Sequence, residues 1–199
     1  MEGSRAMVLA GVPRPSMRPH FTPSFYQRLL EALVERFDFV VLDTGGSGWS
    51  AADSAIDGLS LQLADYILLV IRPDIQGVAL AREALKQWSG GRERISLVLA
   101  DIGNRGQARE RRGEIEDVLG LGVVAVVPFD PKGISGAGRC RRPIVCRPGA
   151  KAAAPLLGLA GHLVGGGPVV LPPDAEPTAA PHWWRRLPLS AGVGGLLRW

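Results

Sequence analysis

The sequence predicts an α/β domain with a mostly parallel, doubly wound sheet and helices on both faces. Short, continuously apolar runs recur along the chain, and such runs are typical of strands buried on both sides. Segments with apolar residues at helical spacing separate these runs. Because strands and helices alternate, we expect right-handed βαβ crossovers and parallel pairing. No apolar run reaches about 18 residues, so no membrane-spanning helix is expected.

The first elements are predicted from turn and cap residues. Residues 7–10 form an apolar run that predicts a short strand, and the prolines that follow cannot join a central ladder. Thr22 and Pro23 are typical of a helix N-cap and a first helical position. A helix is therefore expected from Pro23 to about Arg36, and another is expected around residues 54–62.

The most informative segment is the apolar run at residues 37–43, which ends in Asp43 and continues into Thr44 and Gly45. We expect this run to be a central buried strand, with Asp43 at its carboxyl end, where open α/β sheets bind ligands. In phosphate-handling folds a carboxylate at this position holds Mg²⁺ beside a nucleotide. A plain strand that ends in a turn remains the alternative, because these residues alone support both interpretations.

The rest of the domain is predicted to alternate strands and helices. Apolar runs predict three further buried strands, and amphipathic segments predict helices after the first two of them. A Gly-, Arg- and Pro-rich stretch at residues 132–149 is expected to be a loop, and a last helix is expected near residues 150–163. The predicted strands are residues 66–71, 95–100 and 123–127, and the predicted helices are residues 77–88 and 111–119.

Composition and charge divide the chain into two parts. Residues 1–131 carry 14 basic and 17 acidic side chains, whereas residues 132–199 carry 9 basic and 2 acidic ones. We expect an α/β domain at residues 1–164, followed by a Pro/Gly-rich linker and a basic, Trp-containing tail at residues 165–199. The N-terminal apolar stretch is too short for a signal-peptide core, so a cytoplasmic location is the default.

Five segments together resemble the MinD/ParA family of P-loop ATPases, and most closely its CpaE-like pilus-assembly branch. Their order and spacing carry the resemblance more than any single motif does. The segments are RFDFVVLDTGGS (36–47), LADYILLVIRPDIQGVALAREAL (63–85), ISLVLADIGNRG (95–106), IEDVLGLGVVAVVPFDPK (115–132) and PIVCRPGAKAAAPLLGLAGHLV (143–164).

The resemblance implies ATP and Mg²⁺ as cofactors, with Asp43 as the Walker-B carboxylate that holds the metal. The loop after Asp43 corresponds to the family's γ-phosphate sensor, and the segment that ends at residue 132 corresponds to one near the nucleotide base. The cofactor-binding residues that the resemblance implies are Asp43, Thr44, Gly45, Asn104, Pro128 and Asp130.

The chain also departs from the family pattern at two places. No G-x-x-x-x-G-K-[ST] phosphate loop occurs anywhere in it, so the chain is expected to lack the family's first strand and Walker-A loop. We therefore expect no useful ATP hydrolysis by this chain alone. The second departure is Asp101, which follows a strand directly where the family has the Asn that reads adenine, whereas Asn104 comes three residues later.

Three functions stay open at this point. The first is a degenerate or truncated MinD/ParA/CpaE-like domain that acts in localisation, partitioning or pilus and secretion assembly through protein contacts, as a homodimer or a heterodimer. The second is a genuine ATPase whose Walker-A segment comes from an upstream region or a partner chain. The third is an unrelated Rossmann-like binding protein, since a fold does not determine a function.

The remaining sequence features give weaker predictions. The tail at residues 182–199 combines Trp, Arg and Leu, which suits peripheral membrane contact, although it could equally fold back on the domain or stay disordered. The Arg-rich loop at residues 139–147 has no interleaved aromatic residues, so nucleic-acid binding is not expected. Cys140 and Cys146 match no zinc or redox spacing and are interpreted as incidental thiols.

Overall fold

The computed structural model describes residues 7–9, 21–44, 55–103 and 106–165. Within these ranges, seven α-helices and three β-strands alternate along the chain. The helices are α1 Pro23–Val34, α2 Ala55–Leu63, α3 Ile75–Gln87, α4 Gln107–Glu110, α5 Arg112–Leu119, α6 Pro131–Cys140 and α7 Ala153–Gly165. The strands are β1 Ile67–Ile71, β2 Ile95–Ala100 and β3 Val123–Val127. The division at residue 164 stays a prediction, because residues 166–199 lie outside the described ranges.

The three strands form one parallel sheet in the order β1-β2-β3. β2 is the central strand, and its side chains alternate between two cores: Leu97 and Leu99 are fully buried on one face, while Val98 is buried on the other. Residues of α2, α3, α4 and α5 pack on the first face, and residues of α7 pack on the second. The predicted parallel sheet with helices on both faces is therefore confirmed.

The β2–β3 ladder contains one irregularity. Leu97 pairs with Val123, but Val98 pairs with Ala125, so Val124 is an extra residue on β3. Such a bulge changes which side chains face each core. As a result Val124 and Ala125 both contribute to the α7 side of the sheet.

The predicted N-terminal helix is confirmed as α1. The Thr22 side-chain oxygen accepts a hydrogen bond from the Phe25 N–H at 3.2 Å, which caps the helix start. α1 packs mainly on α2, where the Tyr26 and Ser60 hydroxyls are hydrogen bonded at 2.8 Å and Leu30 is buried. α1 is therefore joined to the sheet through α2.

At the amino end of the sheet, Tyr66 connects α7 to the strands. Its hydroxyl hydrogen bonds to the Ser96 hydroxyl and, at 2.8 Å, to Nε2 of the buried His162. Because Ser96 is in β2 and His162 is in α7, this cluster fixes the helix on its face of the sheet. Among the described residues, no helix has the length and apolarity to cross a membrane.

The predicted strand at residues 37–43 is wrong. The short strand predicted at residues 7–10 is also wrong over residues 7–9, which are the part of it that the structure describes. Residues 7–9 and 37–44 belong to no strand, and Phe39 and Val41 are 56% and 90% exposed. A central strand needs a hydrogen-bonded neighbour and cover on its faces, and the described residues give this run neither. Asp43 therefore does not lie at the end of a central strand.

The loop predicted at residues 132–149 is wrong over residues 132–140, because these residues belong to α6. Asp130 caps α6 and Pro131 occupies its first position, so the start signals outweigh the glycines. Gly133 is required by close packing, because a Cβ there would overlap the Asp130 carboxylate, which its hydrogen bonds hold in place. A Cβ at Gly136 would meet the Arg147 guanidinium, the end of a flexible side chain. Glycines that suggest a loop from sequence therefore serve packing here.

Gly77 in α3 is tightly packed, whereas Gly113 in α5 is open. A Cβ at Gly77 would overlap the backbone carbonyl of Arg72, while a Cβ at Gly113 would meet nothing within 4 Å. We expect Gly77→Ala to lower the free energy of unfolding by about 1–3 kcal/mol, because backbone must shift. Gly113→Ala, the matched control, should raise it by about 0.4–1 kcal/mol, because Ala restricts the unfolded chain. Urea unfolding of both variants measures this, and equal effects of the same sign would contradict the packing at Gly77.

Candidate functional site

The candidate site is the carboxyl rim, defined here as residues 72–75, 101–103 and 128–134, which follow the carboxyl ends of the three strands. Open parallel sheets bind ligands at this edge. Each strand is followed by one carboxylate: Asp74 after β1, Asp101 after β2 and Asp130 after β3. The chemistry of the rim depends on what each of these carboxylates contacts.

Asp74 caps α3. Its side chain accepts a hydrogen bond from the Gly77 N–H at 2.6 Å, and its other oxygen lies 3.1 Å from Nε of Arg72. Both charged side chains are more than a third exposed, so the ion pair contributes little to stability. The carboxylate is thus used to satisfy the first turn of its own helix.

Asp130 caps α6 in the same way but is buried. One of its oxygens accepts from the Gly133 N–H at 2.8 Å, and the other accepts from the Ala152 N–H at 3.4 Å, just before α7. The hydrogen bond from the Gly133 N–H, followed by those of Ala152 and Lys151, lowers the pKa of Asp130 below its ordinary value, against the opposing effect of burial. Asp130 therefore joins β3, α6 and α7 as an ionised side chain.

Asp101 is held at one oxygen only. Its backbone N–H donates to the Val127 carbonyl at 2.9 Å, which fixes it beside β3, and its Oδ2 accepts from the Gly106 N–H at 3.0 Å. Its Oδ1 is buried and has no hydrogen-bond partner, and the residue is only 8% exposed. In the described part of the chain, this is the buried side-chain oxygen that lacks a partner.

Arg111 connects the rim to α5. Its Nη1 donates to the Pro73 carbonyl at 2.6 Å, and its Nε lies 3.0 Å from a Glu114 oxygen. The hydrogen bond that Arg111 donates to the Glu114 carboxylate raises the pKa of Arg111 and lowers the pKa of Glu114. The β1–α3 loop is thereby fixed from the side of α5.

The structure places the predicted site residues in three groups. Pro128 and Asp130 lie together after β3, at the carboxyl rim. Asp43 is exposed and Thr44 is half-buried, on a segment that belongs to no strand, so the expected position of Asp43 at a strand end is wrong. Gly45 and Asn104 lie outside the described residues.

Sequence reasoning missed the role of Asp101 as an unpaired buried acceptor. Its position directly after an apolar run was visible, but its burial depends on the β2–β3 register and on the turn at Gly106. Among the described residues, no group of three or more His, Cys, Asp or Glu side chains could hold a metal ion.

The starts of α3 and α6 are poor phosphate sites. A phosphate at a helix N-terminus binds to free backbone N–H groups, yet at α3 and α6 a capping carboxylate already binds one of them, the N–H of Gly77 and of Gly133. Both carboxylates would also repel a phosphate. No Mg²⁺- or ATP-dependent step can therefore be assigned to these residues.

The low pKa of Asp130 predicts a pH-dependent contribution to stability. The contribution should be complete above about pH 4, near the ordinary pKa of Asp, and should be lost as the pH falls through the lower folded value. Asp130→Asn keeps an oxygen that can cap α6 but cannot ionise. We expect the stability difference between wild type and Asp130→Asn, measured by urea unfolding from pH 7 to 3, to shrink below about pH 4. A difference that stays constant over this range would contradict the ionised cap.

Comparison with known proteins agrees with the geometry. No protein-family model and no curated protein matches this chain. Among solved structures, a ParA family ATPase from Chlorobium tepidum TLS superposes with a TM-score of 0.63 at 18% identity, covering 76% of this chain and 62% of that one.

Two structures from Aquifex aeolicus are also similar. The MinD cell division protein superposes with a TM-score of 0.57 at 17% identity, covering 71% of this chain and 60% of that one. The MinC:MinD cell division protein complex gives 0.57 at 16% identity, covering 78% and 61%. This chain thus spans about three fifths of the solved chains it matches. At these identities the similarity concerns the fold, and the fold of this chain is that of the MinD/ParA-type P-loop ATPases.

Proposed function

We propose that this chain is a degenerate MinD/ParA-like domain that acts through protein contacts in protein localisation, partitioning or pilus and secretion assembly. The observation that supports the proposal is the hydrogen bonding of the carboxylates at the carboxyl rim. Asp74 and Asp130 each cap one N–H at the starts of α3 and α6, and Asp43 belongs to no strand. A negative charge already bound at each of these helix starts disfavours a phosphate there, which favours a scaffold over a hydrolase.

Exposed apolar side chains at the same rim support a contact role. Ile75 is 80% exposed, Ile102 and Ile134 are both 62% exposed, and Phe129 is 47% exposed. Contiguous apolar patches mark interaction surfaces, whereas single exposed apolar residues are normal. The proposal takes these four residues as one patch because they follow the carboxyl ends of the three strands of one sheet. One solved neighbour is a complex of MinD with MinC, so a protein partner or a second copy of this chain is the proposed occupant.

Location and membrane contact belong to the same proposal. A cytoplasmic site of action follows from the proposed role, and peripheral membrane contact is assigned to residues 182–199, which lie outside the described ranges. The CpaE-like branch likewise rests on the sequence resemblance.

A second candidate is an ATPase completed by a Walker-A segment from an upstream region or a partner chain. The open edge of β1 favours it, because β1 pairs only with β2 among the described residues and Val70 is 59% exposed. β1 has five consecutive apolar residues and no charge or proline that would protect its edge. An added strand there would cover the edge, and it could also give the unpaired run at residues 39–42 a neighbour.

Nucleotide turnover separates these two candidates. We expect the purified chain to show no MgATP hydrolysis above the no-enzyme rate, and Asp43→Ala to leave this result unchanged. Loss of even one charge-stabilising donor typically costs about 10²–10³ in rate. Here the chain contains no G-x-x-x-x-G-K-[ST] phosphate loop, and one N–H at the start of each of α3 and α6 is bound by a carboxylate. A phosphate-release assay measures this. Hydrolysis that Asp43→Ala abolishes would reject the scaffold proposal and support the second candidate.

Self-association tests the contact surface. We expect the wild type to self-associate, and Ile134→Asp to raise the dissociation constant at least about tenfold, because it places a charge in an apolar contact. Leu80→Asp is the matched control, since Leu80 is 64% exposed but lies on the body of α3. Sedimentation equilibrium measures all three proteins. If Leu80→Asp weakened the dimer as much as Ile134→Asp, the rim would not be the interface; a monomeric wild type would exclude the homodimer.

A further inference from the structure

The side chain of Arg147 lies against α6 at a position where the helix has no side chain of its own. A Cβ at Gly136 would overlap the guanidinium of Arg147, so the glycine leaves the space that this cation occupies. Arg147 is half-buried, and its guanidinium has no hydrogen bond or ion pair to another described residue. Its five N–H donors are therefore available to a ligand.

Two further cations lie beside Gly136 on the surface of α6. Lys132 is four residues before Gly136 and Arg139 is three residues after it, and residues three or four apart are neighbours on a helix surface. Both side chains are exposed, and neither forms an ion pair with another residue in the described ranges. Lys132, Arg139 and Arg147 are called the α6 cationic cluster here.

No carboxylate offsets the charge of the α6 cationic cluster in the surrounding part of the chain. Residues 131–165 contain six Lys or Arg residues and no Asp or Glu. Asp130, which comes directly before α6, is already bound by the N–H groups of Gly133 and Ala152. The cluster is thus a surface with an excess of positive charge and of unused N–H donors.

The α6 cationic cluster and the apolar contact surface proposed above use different sides of the helix. Ile134, the apolar residue of that surface on α6, comes two residues before Gly136 and so lies about 160° away around the helix axis. A ligand bound at Gly136 therefore does not need the side chain that the protein contact would cover.

The charge and the donors of the cluster match a phosphate monoester. At pH 7 such a group carries about −1.5 to −2 charges and three acceptor oxygens. Planar guanidinium groups bind phosphate through two parallel hydrogen bonds. A carboxylate carries one charge, and a nucleic acid carries one charge on each phosphate, so both match three neighbouring cations less well. Residues 131–165 also contain no Phe, Tyr or Trp on which a base could stack.

We infer that the α6 cationic cluster binds phosphate monoesters, with Arg147 as the main ligand. Inorganic phosphate, a small phosphorylated molecule and a phosphorylated side chain of a protein all present this chemistry. The inference is independent of the proposed function, because a monomeric wild type would leave it unchanged.

Isothermal titration of the full chain, in phosphate-free buffer at low salt, tests the inference. We expect glycerol 3-phosphate to bind at least about tenfold more tightly than dimethyl phosphate, a diester with one charge, because hydrogen bonds to charged groups are the stronger ones. Inorganic phosphate and a phosphoserine peptide, titrated in parallel, distinguish the sources of the group. No binding of any monoester at millimolar concentration, or equal binding of monoester and diester, would overturn the inference.

Two glycine variants locate the site without any change of charge. Gly136→Ala places a Cβ where the Arg147 guanidinium lies, whereas a Cβ at Gly138, in the same helix, would meet nothing within 4 Å. We expect Gly136→Ala to bind glycerol 3-phosphate at least about tenfold more weakly, and Gly138→Ala to bind it like the wild type. A general attraction to the basic segment would leave both variants unchanged.

A charge variant gives a second measurement if Gly136→Ala does not fold. Arg147→Gln should weaken the binding of glycerol 3-phosphate at least about tenfold, while Arg82→Gln, an exposed residue on α3, should not change it. Circular dichroism and the melting temperature show which variants are folded. If folded Arg147→Gln bound the monoester like the wild type, or if duplex DNA bound more tightly than any monoester, the assigned ligand would be wrong.

Discussion

The burial of β2 on both faces is the constraint on which the rest of the structure depends. Leu97 and Leu99 anchor the core beneath α3 and α5, while Val98 contacts the core beneath α7. A strand that must be covered on both sides requires helices on both sides and parallel neighbours that return through them. The order β1-β2-β3, the crossover helices and the position of the carboxyl rim all follow from this one requirement.

At the carboxyl rim, two helices begin with the same kind of N-cap. After β1 and after β3, an Asp caps the following helix through the N–H of a glycine three residues later. The glycine is required because its Cβ would overlap the Arg72 carbonyl at Gly77 and the Asp130 carboxylate at Gly133. The two caps stabilise the helix starts where this fold class binds its ligands, so stability and a phosphate site compete for the same N–H groups. In this chain each cap binds one of them, the N–H of Gly77 and of Gly133.

Three features remain unpaired in the described part of the chain. β1 has an unprotected apolar edge, the run at residues 39–42 has no strand beside it, and Asp101 has a buried oxygen without a donor. Folded proteins seldom leave such groups unpaired.

The sequence by itself determined the strands at residues 95–100 and 123–127, the α1 cap at Thr22 and the parallel doubly wound class, because apolar period and cap chemistry are local properties. Only the tertiary structure decided which runs enter the sheet: residues 39–42 are as apolar as β1, but a strand forms only where a neighbour supplies its hydrogen bonds. It also decided that the glycines of α6 serve packing against Asp130 and Arg147. The sequence could not predict which oxygen of the Asp101 carboxylate has a hydrogen-bond partner, because burial and hydrogen bonding arise from contacts between distant segments.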